Sequence, residues 1–131
     1  MSLTLIWVVA GGALGALTRF GIAEWVRTRT RWPGWVAILA ANVLGTLLLA
    51  LAHFTIGQTD VVPPAIWAFT ALGYCGALTT YSAFGLDTLL LWYEGQRVIA
   101  VGQFVATLLV GASTIALVSL GLGGPAGAGG S

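Results

Sequence analysis

Gly73-Tyr74-Cys75-Gly76-Ala77-Leu78-Thr79-Thr80-Tyr81-Ser82-Ala83-Phe84-Gly85 lies deep inside a long apolar stretch, and its reading decides the fold. Glycines, two adjacent threonines and a serine lower helix propensity just where an apolar helix would be farthest from water. Two readings stand for such a stretch. A broken helix would free backbone carbonyls, which a membrane tolerates only around a cavity or a ligand. A tilted, continuous helix packed through small residues would need no ligand.

Outward from this stretch, polar punctuation divides the chain into four apolar segments: residues 3–23, 35–56, 65–93 and 98–122. Each meets the roughly 20 residues that about 30 Å of hydrocarbon demands. The pattern predicts an all-α integral membrane protein of four transmembrane helices, the third broken near its centre. Residues 1–122 read as one transmembrane unit and residues 123–131 as a glycine-rich flexible tail. No ten-residue alternation suggests a barrel, and the first segment has no positive leader that would make it a cleaved signal.

Composition agrees. Of the 131 residues 58% are hydrophobic and 7% charged, against about 25% charged in a soluble domain. A water-soluble fold of this size would expose a largely apolar surface. The net charge of +1 is too small for a nucleic-acid footprint. One cysteine and one histidine supply neither a metal cluster nor a catalytic constellation, so no enzyme is expected.

All basic residues are arginines, and Arg27, Arg29, Arg31 and Arg97 fall in the first and third connections. The second connection and both tails have none. The positive-inside tendency puts those two connections in the cytoplasm and both termini outside a cell membrane crossed several times. Trp25, Trp32, Trp35, Trp67 and Trp92 stand near predicted helix ends, where interfacial aromatics belong.

Several side chains could carry chemistry. Asn42 lies near the middle of the second segment with Gly45, Leu49 and His53 along one stripe. Its amide can donate to an anion or bind helices together. Tyr81, Phe84 and Thr88 share a face, and aromatic edges carry partial positive charge; ordinary packing is the simpler use of such rings. Gln103, Thr107, Gly111 and Thr114 form a polar stripe that could line a path or mediate packing. Arg19 sits near enough to the end of its segment to snorkel, and Gly11 and Gly15 form a close-packing spacing.

Together these residues resemble the Fluc (CrcB) family of fluoride channels over nearly the whole chain. Residues 73–84 are similar to its third-helix signature, glycine–aromatic–Cys-Gly-Gly-Leu-Thr-Thr-Phe-Ser-Thr-Phe. Supporting it are Gly11-Gly12-Ala13-Leu14-Gly15-Ala16 with Arg19, Asn42-Val43-Leu44-Gly45, and Asp87 where the family has an acid. The resemblance implies an antiparallel dimer of four-helix subunits with two pores for passive fluoride efflux, relieving cytoplasmic fluoride toxicity. It implies a fluoride pore of Asn42, Tyr81 and Phe84, to which the polar stripe of the fourth segment would add Thr107 and Thr114. Backbone carbonyls of Gly76 and Thr79 from both subunits would hold a structural Na+ at the dimer interface, with Arg19 and Asp87 as structural charges.

Departures from the signature are Tyr81 for phenylalanine, Ala77 for the second glycine, and Ala37-Ile38 for Gly-Thr before the asparagine. The arginine asymmetry opposes insertion in both orientations, so a paralogous partner subunit is favoured over a second copy. The rival function is a small multidrug-type, proton-coupled exporter of cationic compounds. Such an exporter needs a membrane-embedded carboxylate, and the first segment has none before Glu24.

Overall fold

The computed structural model describes residues 2–56 and 61–122. Residues 57–60 of the second connection and the tail expected at 123–131 lie outside the described residues. Within them the chain is helical, with α1 at Ser2–Arg29, α2 at Trp35–Thr55, α3 at Pro64–Trp67, a π-helical stretch at Ala68–Cys75, α4 at Gly76–Leu78, α5 at Tyr81–Tyr93 and α6 at Arg97–Leu122. Among the described residues three helices are long and apolar enough to cross a membrane, Leu3–Arg29, Trp35–Thr55 and Arg97–Gly121. This is a multi-pass membrane protein.

The first helix runs six residues beyond the predicted end at Ala23. Nothing in that stretch stops a helix before Pro33, which lacks the N–H needed to continue one. Arg27 pairs with Glu24 three residues back, and the Thr28 hydroxyl donates to the Glu24 carbonyl at 2.8 Å. Arg27 and Arg29 in the last turn also suit the negative end of the helix dipole.

The helix α1 packs closely against the π-helical stretch. A Cβ on Gly11 would strike the Phe69 carbonyl oxygen, one on Gly15 the Tyr74 carbonyl oxygen, and one on Gly73 would lie 2.6 Å from the Val8 carbonyl oxygen. Glycine is there because backbone meets backbone. In lipid, where no hydrophobic effect drives helices together, such close approach supplies the dispersion contacts that do. The Thr18 hydroxyl and the Tyr74 phenol, 3.1 Å apart, fasten the same seam.

Helix directions follow from these contacts. Gly11 meets Phe69 and Gly15 meets Leu78, so α1 runs parallel to the chain from α3 to α4. Asn42 reaches Thr80, while His53 lies 6.1 Å from Trp67, so α2 runs the opposite way. Thr46 lies beside Leu108, and His53 shares a cavity wall with Ser119, making α6 parallel to α2. The turn between α5 and α6 closes on Gly95, whose φ of 83° is natural only to glycine. One end of the molecule therefore gathers the C-termini of α1 and α5 with the N-termini of α2 and α6.

The glycine seam is directly testable. Gly15→Val should destabilise the fold by at least about 2 kcal/mol, because the added methyls have only backbone to displace. Gly21→Ala, at a site with nothing within 4 Å, should be neutral or stabilise by about 0.5–1 kcal/mol. Thermal unfolding in detergent, followed by circular dichroism and monodispersity, checks both.

Candidate functional site

Helical geometry stops at Leu78. Thr79 (φ −84°, ψ 131°) and Thr80 (φ −140°, ψ 120°) are extended, and α5 begins at Tyr81. Two extended residues leave backbone donors and acceptors unserved on both sides, and each must find a partner. The Thr79 N–H and the Thr79 hydroxyl both donate to the Cys75 carbonyl, each at 2.9 Å. The Thr80 N–H donates to Asn42 Oδ1 at 3.1 Å. Thr80 itself caps α5, its hydroxyl accepting from the Ala83 N–H at 3.5 Å.

The spacing of Asn42 and Gly45 acquires a physical reason here. One turn of α2 offers the amide oxygen to Thr80 and, three residues on, a gap into which the Thr79 methyl fits. A Cβ on Gly45 would collide with Thr79 Cγ2. A side chain that captures one residue of the break and a missing side chain that admits its neighbour hold both threonines in place.

Its oxygen accepts from Thr80, and the Asn42 amide N–H groups have no hydrogen-bond partner among the described residues. Asn42 lines a cavity of about 290 Å³ together with Thr46, Thr79, Thr80, Tyr81, Phe84, Phe104, Thr107 and Leu108. Phe84 is buried at 4% exposure, stacks on Phe104 at 5.6 Å, and lies 6.1 Å from the Tyr81 ring. The Thr107 hydroxyl is buried without a hydrogen-bond partner among the described residues. Donors and aromatic edges with no carboxylate in the wall make a surface suited to a small anion.

Of the expected pore residues, Asn42, Tyr81, Phe84 and Thr107 come together in this cavity. Thr114 does not line it, and its hydroxyl donates to the Val110 carbonyl of its own helix at 2.8 Å. Arg19 and Asp87 form no ion pair with each other; Arg27 with Glu24 is the ion pair found among the described residues. Gly76 and Thr79 stand at the end of the helix that stops. Thr80 would ordinarily donate to the Gly76 carbonyl four residues back, and its N–H goes to Asn42 instead. Gly76 is also exposed. A carbonyl freed in this way and open to its surroundings fits the oxygen ligation a hard cation prefers.

Sequence reasoning missed Phe104, Thr46 and Thr80 as wall residues, and it read Gln103 only as part of a polar stripe that could line a path or mediate packing. Gln103 is 3% exposed, and among the described residues neither its amide atoms nor Asp87 Oδ2, all buried, has a hydrogen-bond partner. Its place one turn before Thr107 was the available signal. Phe104 gave none, being one apolar residue among many on α6.

Residues 6–127 match the family described as CrcB-like protein, Camphor Resistance (CrcB). A Saccharophagus degradans protein named Fluoride-specific ion channel FluC is 33% identical over 114 residues, covering 85% of this chain and 84% of the relative. Proteins of the same name from Azotobacter vinelandii and Pseudomonas fluorescens strain SBW25 are 38% and 40% identical, over 79% and 76% of this chain and 84% and 80% of their own lengths.

Asn42→Ala should strand the Thr80 N–H in the bilayer interior and cost about 1–3 kcal/mol. The expected reading is a thermal midpoint lowered by several degrees in detergent. Phe104→Leu, which keeps that part of the cavity wall apolar, should move it less.

Proposed function

The chain belongs to the CrcB family, and from that premise we propose that it is a fluoride channel subunit through which fluoride moves passively, relieving fluoride toxicity. The observation that carries this reading is the Asn42–Thr80 hydrogen bond. It fixes the amide so that two N–H donors remain beside Phe84 in a cavity with no acidic wall. A fluoride ion shedding water there would meet the Asn42 N–H groups, the unpartnered Thr107 hydroxyl, and the ring edges of Phe84 and Tyr81. Donors and positive ring edges replace part of the hydration shell without binding so tightly that the ion cannot leave.

The break also gives the fourth membrane span. The helix α5, of 13 residues, reaches only about 20 Å and cannot cross alone. Residues 64–93 taken together are long enough, with Thr79 and Thr80 near mid-span, so the subunit has four spans and a broken third. Both termini lie outside the cell, with the arginine-bearing end in the cytoplasm.

A partner subunit completes the site. Tyr81 is 82% exposed although its ring borders the cavity, and Gly76 is open to the outside. An antiparallel partner would cover Tyr81 and bring its own carbonyls to those of Gly76 and Thr79. Four carbonyl oxygens, two from each subunit, would hold a structural Na+ at the interface. The arginine asymmetry favours a paralogous partner inserted the other way up over a second copy.

Fluoride efflux from liposomes tests the reading. Liposomes holding this chain with its paralogue should release fluoride. Asn42→Asp keeps an oxygen for the Thr80 N–H while replacing both donors with a negative charge. It should slow release by roughly tenfold or more for each donor lost. Folded protein that releases no fluoride, alone or paired, defeats the reading.

Orientation is tested separately with a tag on the C-terminus in intact cells. Labelling only from outside is expected. Labelling from both faces would mean that the chain inserts both ways and pairs with itself.

A further inference from the structure

The end of the molecule where α1 hands over to α2 carries a second cavity, of about 320 Å³, lined by Ala23, Val26, Arg27, Trp32, Gly34 and Ala37. Its wall is divided by chemistry. Val26 and Ala37 are buried at 3% and 4% exposure and make an apolar floor. Arg27 and the indole of Trp32, itself 59% exposed, stand at the rim.

We propose that this cavity is a binding site for one anionic phospholipid, its phosphate held by Arg27, its glycerol and upper acyl carbons against the apolar floor, with Arg29 and Arg31 of the same stretch adding to the positive field around it. Three observations carry the assignment. First, the chain from Arg27 to Arg31 carries three arginines, of which Arg27 lines the cavity. Arg27 commits Nε and Nη2 to Glu24, leaving Nη1 without a partner among the described residues, while Arg29 and Arg31 are exposed and likewise have no side-chain partner among them. A guanidinium presents planar paired donors that match phosphate oxygens.

Second, this end sits at the depth of lipid headgroups. Trp25, Trp32, Trp35 and Trp92 all belong to it, the aromatic belt expected at a membrane–water boundary. The parallel course of α2 and α6 puts Arg97 at the same level as Trp35, where its guanidinium lies 5.2 Å from the centre of the Trp92 ring. The acids at this end are Glu24, already paired, and Glu94, so the balance stays positive. Basic pockets between transmembrane helices are where anionic headgroups bind.

Third, the pocket's division selects a lipid over a free ion. Inorganic phosphate would gain nothing from Val26, Ala37 and Ala23, whereas a glycerophospholipid presents apolar carbons directly below its phosphate. None of this depends on what the cavity at Asn42 conducts, so the two readings fail independently.

Native mass spectrometry of the full chain tests the site, with the detergent-solubilised protein titrated in turn with phosphatidylglycerol, phosphatidylcholine and glycerol phosphate. Phosphatidylglycerol should be retained at a roughly tenfold or lower concentration than phosphatidylcholine, with glycerol phosphate not retained. Replacing Arg27, Arg29 and Arg31 together by Gln should abolish the preference. Trp32→Ala leaves charge and insertion signals untouched, and should weaken phosphatidylglycerol retention several-fold even if the triple variant does not fold. Equal retention of the two lipids, a preference that survives either variant, or glycerol phosphate bound as tightly as the whole lipid would each overturn the proposal.

Discussion

A peptide group in hydrocarbon has no water to turn to, and this governs what Thr79 and Thr80 can do. Two extended residues deep in an apolar chain free several donors and acceptors, each costing several kcal/mol if left alone. The chain meets the donors with nearby oxygen: Cys75 for Thr79, Asn42 for Thr80, and the Thr80 hydroxyl for Ala83. The Gly76 carbonyl loses its usual donor in the process. A helix interruption in a membrane therefore fixes a long-range contact with another helix and leaves surplus acceptors that water would otherwise have served.

The same constraint sorts the polar side chains. Thr18, Thr46, Thr55, Thr88, Thr114 and Ser119 each donate to the carbonyl four residues back in their own helix. A hydroxyl used this way has spent its only proton and presents little to a passing ion. Thr107 and Thr114 part here: one hydroxyl is buried with no partner among the described residues, the other is closed onto Val110. Of the stripe that joined them in sequence, Thr107 is the residue that lines the cavity.

This also measures what could be read in advance. The apolar segments were legible because bilayer thickness sets a length that few other folds require. The third-helix string was legible because glycine, adjacent threonines and aromatics in that order serve a specific geometry. The end of α1 was not, since arginines look like a loop in a membrane pattern although they stabilise a helix C-terminus well. The π-helical stretch at Ala68–Cys75 was hidden for a different reason. Its composition, Ala-Phe-Thr-Ala-Leu-Gly-Tyr-Cys, is that of any small-residue packing face. Phe104 became a wall of the site only through stacking on Phe84, a contact between helices that periodicity along one helix does not encode.

A site open on one side and a chain charged at one end make opposing demands. If a partner covers Tyr81 and Gly76 as proposed, two copies in antiparallel array would supply that surface with the fewest genes. Yet that arrangement would put the Arg27–Arg31 end of one copy in each leaflet. If those arginines hold an anionic lipid, the wrongly inserted copy would lose both its insertion signal and its headgroup contacts, at about 1 kcal/mol for each basic residue near an anionic surface. A partner with arginines at the opposite end would remove the conflict, because each subunit would then keep its basic end in the same leaflet while their broken helices meet in the middle. Orientation and pore assembly would thus be decided at two separate places in the chain, which leaves the residues around Asn42 free to answer only to the ion.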